Sequence, residues 1–269
     1  MTHPVLGEPI GGTDKLFAWG EGEAIKLYGD GVDPEWLEAL RQRESALHDA
    51  GLPVPRVGAL LEIDGQYGQV YEHIQGPSLA QALFAAPDPD PETIVALGRT
   101  FAQAQAAVHA NTSAPSLAPQ KQVLAECIGR PSALASDLRQ ATLALLADMP
   151  VGTQLCHGDY HPFNVLLSPR GPIVIDWNNA HTGVALEDVA RSLLILDGAA
   201  ISDGLPETLL ASFREAYLSA YQQAMLYAPE TLAVWRPIVA AVRFCDQDPA
   251  LEDWLTEQVR AGLHKLGRL

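Results

Sequence analysis

The chain has 269 residues, 48% apolar and 19% charged, which fits a globular protein of two domains or one large one and excludes an intrinsically disordered chain. Its 33 acidic against 17 basic side chains leave a net charge of −16, and only four lysines are present: Lys15, Lys26, Lys121 and Lys265. A field of that sign argues against a nucleic-acid partner or an anionic membrane surface, and it would draw a cationic ligand.

In chain order, residues 14–20 and Glu23 to Tyr28 around Glu21-Gly22 predict a first hairpin. Asp33-Pro34 is an N-cap followed by a first-turn proline, and Gly51 with Pro53 and Pro55 closes the helix so opened. Val57 to Ile63 and Tyr67 to Ile74 predict two strands around Asp64-Gly65. Beyond Gly76-Pro77 the pattern turns helical: a short helix over Ser78 to Ala85 and a long one over Pro91 to Ala110, striped with Ile94, Leu97, Phe101, Ala104 and Val108. One or two helices follow over 121–148, a compact strand episode over 153–177, then helices near 186–197, 206–226, 230–245 and 250–267. This is an α+β chain with a small antiparallel-sheet lobe over 1–76 and a larger, mostly helical lobe over 77–269. Its three cysteines, Cys127, Cys156 and Cys245, form no C-x-x-C pair and suggest neither a disulfide framework nor a zinc cluster. With no basic-then-apolar leader and no apolar run of roughly 18–20 residues, the expectation is a cytoplasmic protein with no membrane partner.

Four places carry polar groups where the pattern wants apolar ones. Lys26 lies inside the apolar strand Ala24-Ile25-Lys26-Leu27-Tyr28. Glu44 falls on the helical stripe of Trp36, Leu37, Leu40 and Leu47, where a carboxylate is costly unless paired, and Lys26 is the expected partner. His157-Gly158-Asp159-Tyr160-His161-Pro162-Phe163-Asn164 packs two histidines, an aspartate and an asparagine into an irregular loop before the strand Val165-Leu166-Leu167. Asp176 ends the apolar strand Ile173-Val174-Ile175. If Ser168 to Gly171 is a turn, Leu167 faces about residue 172, and the register, read to within one residue, brings Asn164 opposite Asp176 at a Cα separation of roughly 4.5–5.5 Å. An amide oxygen beside a carboxylate suits Mg²⁺.

A lysine with a carboxylate partner, a loop aspartate and an oxygen pair for a hard cation are the parts that phosphoryl transfer needs. The run His157-Gly158-Asp159 through Asn164, then Ile175-Asp176-Trp177, resembles the catalytic and metal-binding segments of the aminoglycoside phosphotransferase family, small-molecule kinases with the protein-kinase fold. The likeness extends back to Lys26 and Glu44 and forward to Leu186-Glu187-Asp188-Val189-Ala190-Arg191. It implies Asp159 as the catalytic base and Asn164 and Asp176 as Mg²⁺ ligands. Lys26 would bind the α/β-phosphates with Glu44 as its anchor, and His157 and Asp188 would support the catalytic loop. Residues 71–76 would form a hinge, where adenine bonds the backbone of Glu72 and Ile74 and leaves their side chains free to vary. The phosphate-covering loop would lie at Ile10 to Asp14, around Gly12, and it lacks G-x-G-x-x-G. The donor is expected to be ATP, with GTP left open. The acceptor is a hydroxyl of a small molecule: an aminoglycoside or other amine-bearing sugar, or a metabolite alcohol such as choline or homoserine. A zinc hydrolase using His157, Asp159 and His161, and a non-catalytic nucleotide-binding pseudokinase, are the rival readings.

Overall fold

The computed structural model describes residues 6–10, 15–29, 31–86, 89–112, 117–130, 132–202 and 204–269. In chain order its elements are β1 (Leu16–Trp19), β2 (Glu23–Leu27), α1 (Pro34–Asp49), β3 (Val57–Ile63), β4 (Gln66–Glu72), α2 (Leu79–Leu83), α3 (Pro91–His109), α4 (Gln120–Gly129), α5 (Ser136–Asp148), β5 (Gln154–Cys156), β6 (Val165–Ser168), β7 (Gly171–Val174), β8 (His181–Gly183), α6 (Ala185–Ser202), α7 (Glu207–Ala224), α8 (Pro229–Val242) and α9 (Glu252–Lys265). Short 3-10 turns lie at Pro162–Asn164, Trp177–Asn179 and Arg243–Asp246. The chain divides into two compact units, Met1–Ala82 with Phe163–Asn178, and Leu83–Pro162 with Asn179–Leu269.

The first unit is built on an antiparallel sheet of order β1-β2-β4-β3. Asp64 and Gly65, both at positive φ, form the two-residue turn that matches strand twist between β3 and β4. Helix α1 begins where Asp33 accepts a hydrogen bond from Glu35 N at 2.9 Å and ends before Gly51, at φ +79°. It buries Leu37, Leu40, Glu44 and Leu47, each apolar burial contributing about 1.5–3 kcal/mol. Trp36, expected on this stripe, is 44% exposed. The buried face is narrower than the wheel suggested, and the Trp36 indole sits at its rim, edge-on to Tyr28.

The β6–β7 hairpin belongs to this unit and is tied to it by Leu167 N donating to Pro77 O at 2.8 Å and Val174 N to Pro53 O at 2.7 Å. Gly76, at φ +138°, permits the approach: a Cβ there would stand 2.0 Å from the Leu167 carbonyl oxygen.

In the second unit α3 packs on α7, and α6, α8 and α9 pack together over a core that includes Trp235, Ile238, Val239, Leu255 and Val259. Two features differ from expectation. The three-residue strand β8 pairs with β5, a pairing too short and polar to show a strand pattern. Cys127 and Cys245 form a disulfide with Cα atoms 6.1 Å apart, while Cys156 is free and buried. That pair is separated by 118 residues, so no sequence spacing announces it. Among the described residues, no helix is long and apolar enough to cross a membrane.

Candidate functional site

The first unit holds a cavity of about 380 Å³. Leu16 and Ala24 from the sheet and Leu166 and Ile175 from the hairpin give it apolar walls. Lys26, Glu44 and Asp176 bring charge to it, and Tyr71 to Ile74 form part of its edge. An apolar slot with a few convergent polar groups is the usual form of a small-ligand site. Gly12 lies outside the described residues.

Lys26 reaches this cavity because β2 alternates, so that Ile25 enters the sheet's core while its neighbour faces away. Its Nζ pairs with Asp176 Oδ1 at 3.1 Å, across 150 residues of sequence. The expected partner, Glu44, is instead bonded to Tyr71, whose hydroxyl donates to Glu44 Oε2 at 2.7 Å. Partner choice is tertiary: β4 places Tyr71 beside the α1 carboxylate, and the hairpin places Asp176 beside Lys26. Burial pushes the Glu44 carboxyl up to about 7, against the Tyr71 hydrogen bond and the Lys26 charge. For Lys26 burial works against the ammonium, but the charge and hydrogen bond of Asp176, with the charges of Tyr28 and Glu44, together outweigh it and the pKa is raised.

The hairpin pairs Leu167 with Pro172 as expected, but Asn164 does not fall opposite Asp176. Ser168 pairs with Gly171 and Val165 with Val174, and Ile175 N donates to Asn164 O at 3.0 Å, so Ile175 rather than Asp176 stands opposite Asn164. The two-residue turn fixes that register. Asp176 lies one residue beyond, at φ +67°, a left-handed conformation uncommon outside glycine. There its Oδ1 accepts from Lys26 and, at 2.5 Å, from Asn178 Nδ2. Backbone held in such a state is typical of functional sites. Asn164, 7% exposed, precedes the first strand at the same open end of the hairpin.

At the cavity edge Glu72 N donates to Arg56 O at 2.8 Å, and His73 N donates to Gly22 O at 2.9 Å. The Glu72 carboxylate accepts from Arg56 N at 3.2 Å and from Arg170 at 2.6 Å. Ile74 is buried.

In the second unit the loop carrying Asp159 hangs on Asp188 of α6. The Asp188 carboxylate, with no solvent exposure, accepts from His157 N at 3.1 Å, Gly158 N at 2.8 Å, His109 Nε2 at 3.0 Å and Gln105 Nε2 at 3.3 Å. Burial alone would raise this carboxyl, but the His109 hydrogen bond and the charges of His109, His157 and His181 hold it well below the usual carboxylate range. Gly158 is at φ +78°, and a Cβ there would stand 2.3 Å from Asn179 O. His157 is buried, and its Nδ1 accepts from Asp159 N at 3.2 Å.

Asp159 projects from this framework with Oδ1 3.1 Å from Arg191 NH2 and Oδ2 3.6 Å from His161 Nε2. Its carboxyl too is held well below the usual range: burial is outweighed by His161 and Arg191. It is therefore ionised and a hydrogen-bond acceptor. Among the described residues no three His, Cys, Asp or Glu side chains gather as a metal cluster, so His157, Asp159 and His161 do not form the zinc set of the rival reading.

Two residues were not singled out by sequence reasoning. Arg191, 3% exposed, is the cation beside Asp159, and Tyr71 is the hydrogen-bond partner of Glu44. The signal for the first was available: a charged residue on the apolar face of α6, three positions after Asp188.

No curated protein matches the sequence. Several solved structures share the fold. An aminoglycoside-3'-phosphotransferase of type VIII is 22% identical, with 89% of this chain and 93% of that one covered at a TM-score of 0.58. A choline/ethanolamine kinase family protein from Mesorhizobium loti is 13% identical, with 97% and 90% covered at 0.60. An aminoglycoside phosphotransferase from Streptomyces rimosus, solved with ADP and streptomycin, is 18% identical, with 87% and 91% covered at 0.57. The fold is thus the bilobal, protein-kinase-like one, with a small antiparallel sheet and a larger helical part. The phosphotransferase enzyme family matches residues 26–238, which takes in Lys26, Asp159, Asn164, Asp176 and Asp188 alike, and the chain belongs to that family.

Proposed function

We propose that the protein is a Mg-ATP-dependent kinase that phosphorylates a hydroxyl group of a small molecule. The observation that carries this reading is the Lys26–Asp176 pair at 3.1 Å in an apolar cavity, with Asp176 turned out of its strand. In this reading residues 1–76 are the nucleotide lobe, with a hinge at 71–76, and residues 77–269 hold the acceptor.

Asn164 and Asp176 fit a divalent cation by donor chemistry: both offer hard oxygens, and the left-handed turn at Asp176 aims a carboxylate that a continuing strand would not. Magnesium, when bound there, neutralises phosphate charge. Lys26 holds the α/β-phosphates as a point charge, and Glu44, bonded to Tyr71, adds a carboxylate on its flank. The backbone of Glu72 and Ile74 takes the base. Asp159, ionised and fixed by Arg191 and the Asp188 framework, accepts a hydrogen bond from the acceptor hydroxyl, orients its oxygen and receives its proton late in transfer. His157 and Asp188 hold the loop and take no part in proton transfer.

The net charge of −16 favours a cationic acceptor, an aminoglycoside or another amine-bearing sugar, and the neighbour bound to streptomycin is consistent with that. An amino alcohol such as choline satisfies the same charge argument. An ATP-consumption screen against aminoglycosides, other antibiotics and metabolite alcohols tests the proposal. Turnover with one acceptor class supports it, and binding of Mg-ATP without turnover of any acceptor sinks it in favour of a pseudokinase.

A further inference from the structure

Glu72 ends β4, where the sheet meets the cavity edge. In an antiparallel ladder a hydrogen-bonded pair exchanges two bonds, each residue's N–H reaching the other's carbonyl. Glu72 and Arg56 make only one of them: Glu72 N donates to Arg56 O at 2.8 Å. The return bond, from Arg56 N to the Glu72 carbonyl, is replaced by one from Arg56 N to Glu72 Oε2 at 3.2 Å. Arg170 NH2 grips the other carboxylate oxygen at 2.6 Å, so the side chain is pinned in this place. On the strand's other edge, His73 N takes the bond to Gly22 O, and the Glu72 carbonyl points away from β2. Among the described residues, neither the Glu72 carbonyl nor the Ile74 N–H has a hydrogen-bond partner.

We propose that the Glu72 side chain is a positioning residue for the nucleobase: by taking the Arg56 N–H itself, it frees the Glu72 carbonyl to accept from the amino group of adenine. This rests on the cavity being a nucleotide site. An acceptor at Glu72 and a donor at Ile74 match the 6-amino group and N1 of adenine and oppose the carbonyl and N1–H of guanine, so the site selects ATP over GTP. The Glu72 side chain is then not free to vary, contrary to the expectation that only its backbone matters. In Glu72→Ala the Arg56 N–H returns to the backbone carbonyl and withdraws it from the base.

The test is calorimetric binding of ATP, GTP and purine riboside triphosphate, which carries hydrogen in place of the amino group, to the full chain with Mg²⁺. Wild type should bind ATP about two- to tenfold more tightly than the purine riboside analogue, the range of one net hydrogen bond, and GTP more weakly still. Glu72→Ala, and Glu72→Asp, which keeps the charge but shortens its reach, should both narrow these ratios toward one. Glu72→Gln should keep them, because its amide oxygen still accepts from Arg56. Arg170→Ala, which removes only the outer ion pair, should leave the ratios largely intact. If Glu72→Asp, folded by circular dichroism, keeps the wild-type ratios, or if Arg170→Ala abolishes them, the inference is overturned while the nucleotide site stands. If none of the three nucleotides binds wild type, the nucleotide reading itself fails and the inference goes with it.

Discussion

Replacing Asp188 with alanine removes the acceptor that the His157 and Gly158 amides of the Asp159 loop share. Four donors lose it: the amides of His157 and Gly158, His109 Nε2 and Gln105 Nε2. Gln105 Nε2 keeps a second acceptor in Ser192 Oγ at 3.2 Å, whereas the 2.6 Å contact of His109 with Tyr221 is made by Nδ1 and does not replace the bond lost at Nε2. An unsatisfied buried donor costs about 1–3 kcal/mol. Allowing for partial relaxation, the loss should be about 3–5 kcal/mol, the range for removing one partner from a buried charged network. Urea denaturation at pH 7, followed by far-ultraviolet circular dichroism, measures it as a lowered midpoint. The sign with pH is fixed by the depressed carboxyl. Its stabilisation is fully present above the unfolded pKa, about 3.9, and fades as pH falls through the folded value. The gap between wild type and variant should therefore close only in strong acid. A folded Asp188→Ala protein within about 1 kcal/mol of wild type at pH 7 would refute the role given to this residue.

Gly158→Ala should cost more than the ~1–2 kcal/mol of a left-handed alanine, because its Cβ also meets Asn179 O, and a melting temperature equal to wild type would contradict this. Glu44, with its carboxyl raised from 4.5 to about 7, contributes a stability that falls as pH rises through that window. Glu44→Gln should abolish that slope in nucleotide-free protein, read as thermal stability at pH 5 and pH 8. Lys26→Met should weaken Mg-ATP binding and leave the fold intact, measured by calorimetry and circular dichroism; unchanged affinity would remove Lys26 from the site.

Much of the fold was legible because its signals are local. Asp33 and Gly51 bound α1, Asp64-Gly65 turns β3 into β4, and Gly76-Pro77 marks the switch to helices. The site residues stood out for a related reason: Lys26, Glu44, Asp159 and Asp176 are charges placed in apolar surroundings or at strand ends. Which of them touch was not legible, since that depends on packing between distant segments. Glu44 finds Tyr71 and Lys26 finds Asp176, although each pairing offers similar charge on paper. The hairpin register was legible only to within one residue: Leu167 pairs with Pro172 as expected, and that pairing carries Ile175, not Asp176, opposite Asn164. The buried Arg191 beside Asp159 joins residues 32 apart, and β8 is three residues with no apolar alternation, so neither shows a periodic pattern.

The central claim is that Asp159 orients the acceptor in a phosphoryl transfer that the cavity of Lys26 and Asp176 supplies. Asp159→Ala tests it most directly, once an acceptor is found, by comparing turnover with Mg-ATP affinity in the same preparation. Turnover should fall by about 10²–10⁴-fold while Mg-ATP affinity is unchanged. Near-wild-type turnover in that variant would contradict the account.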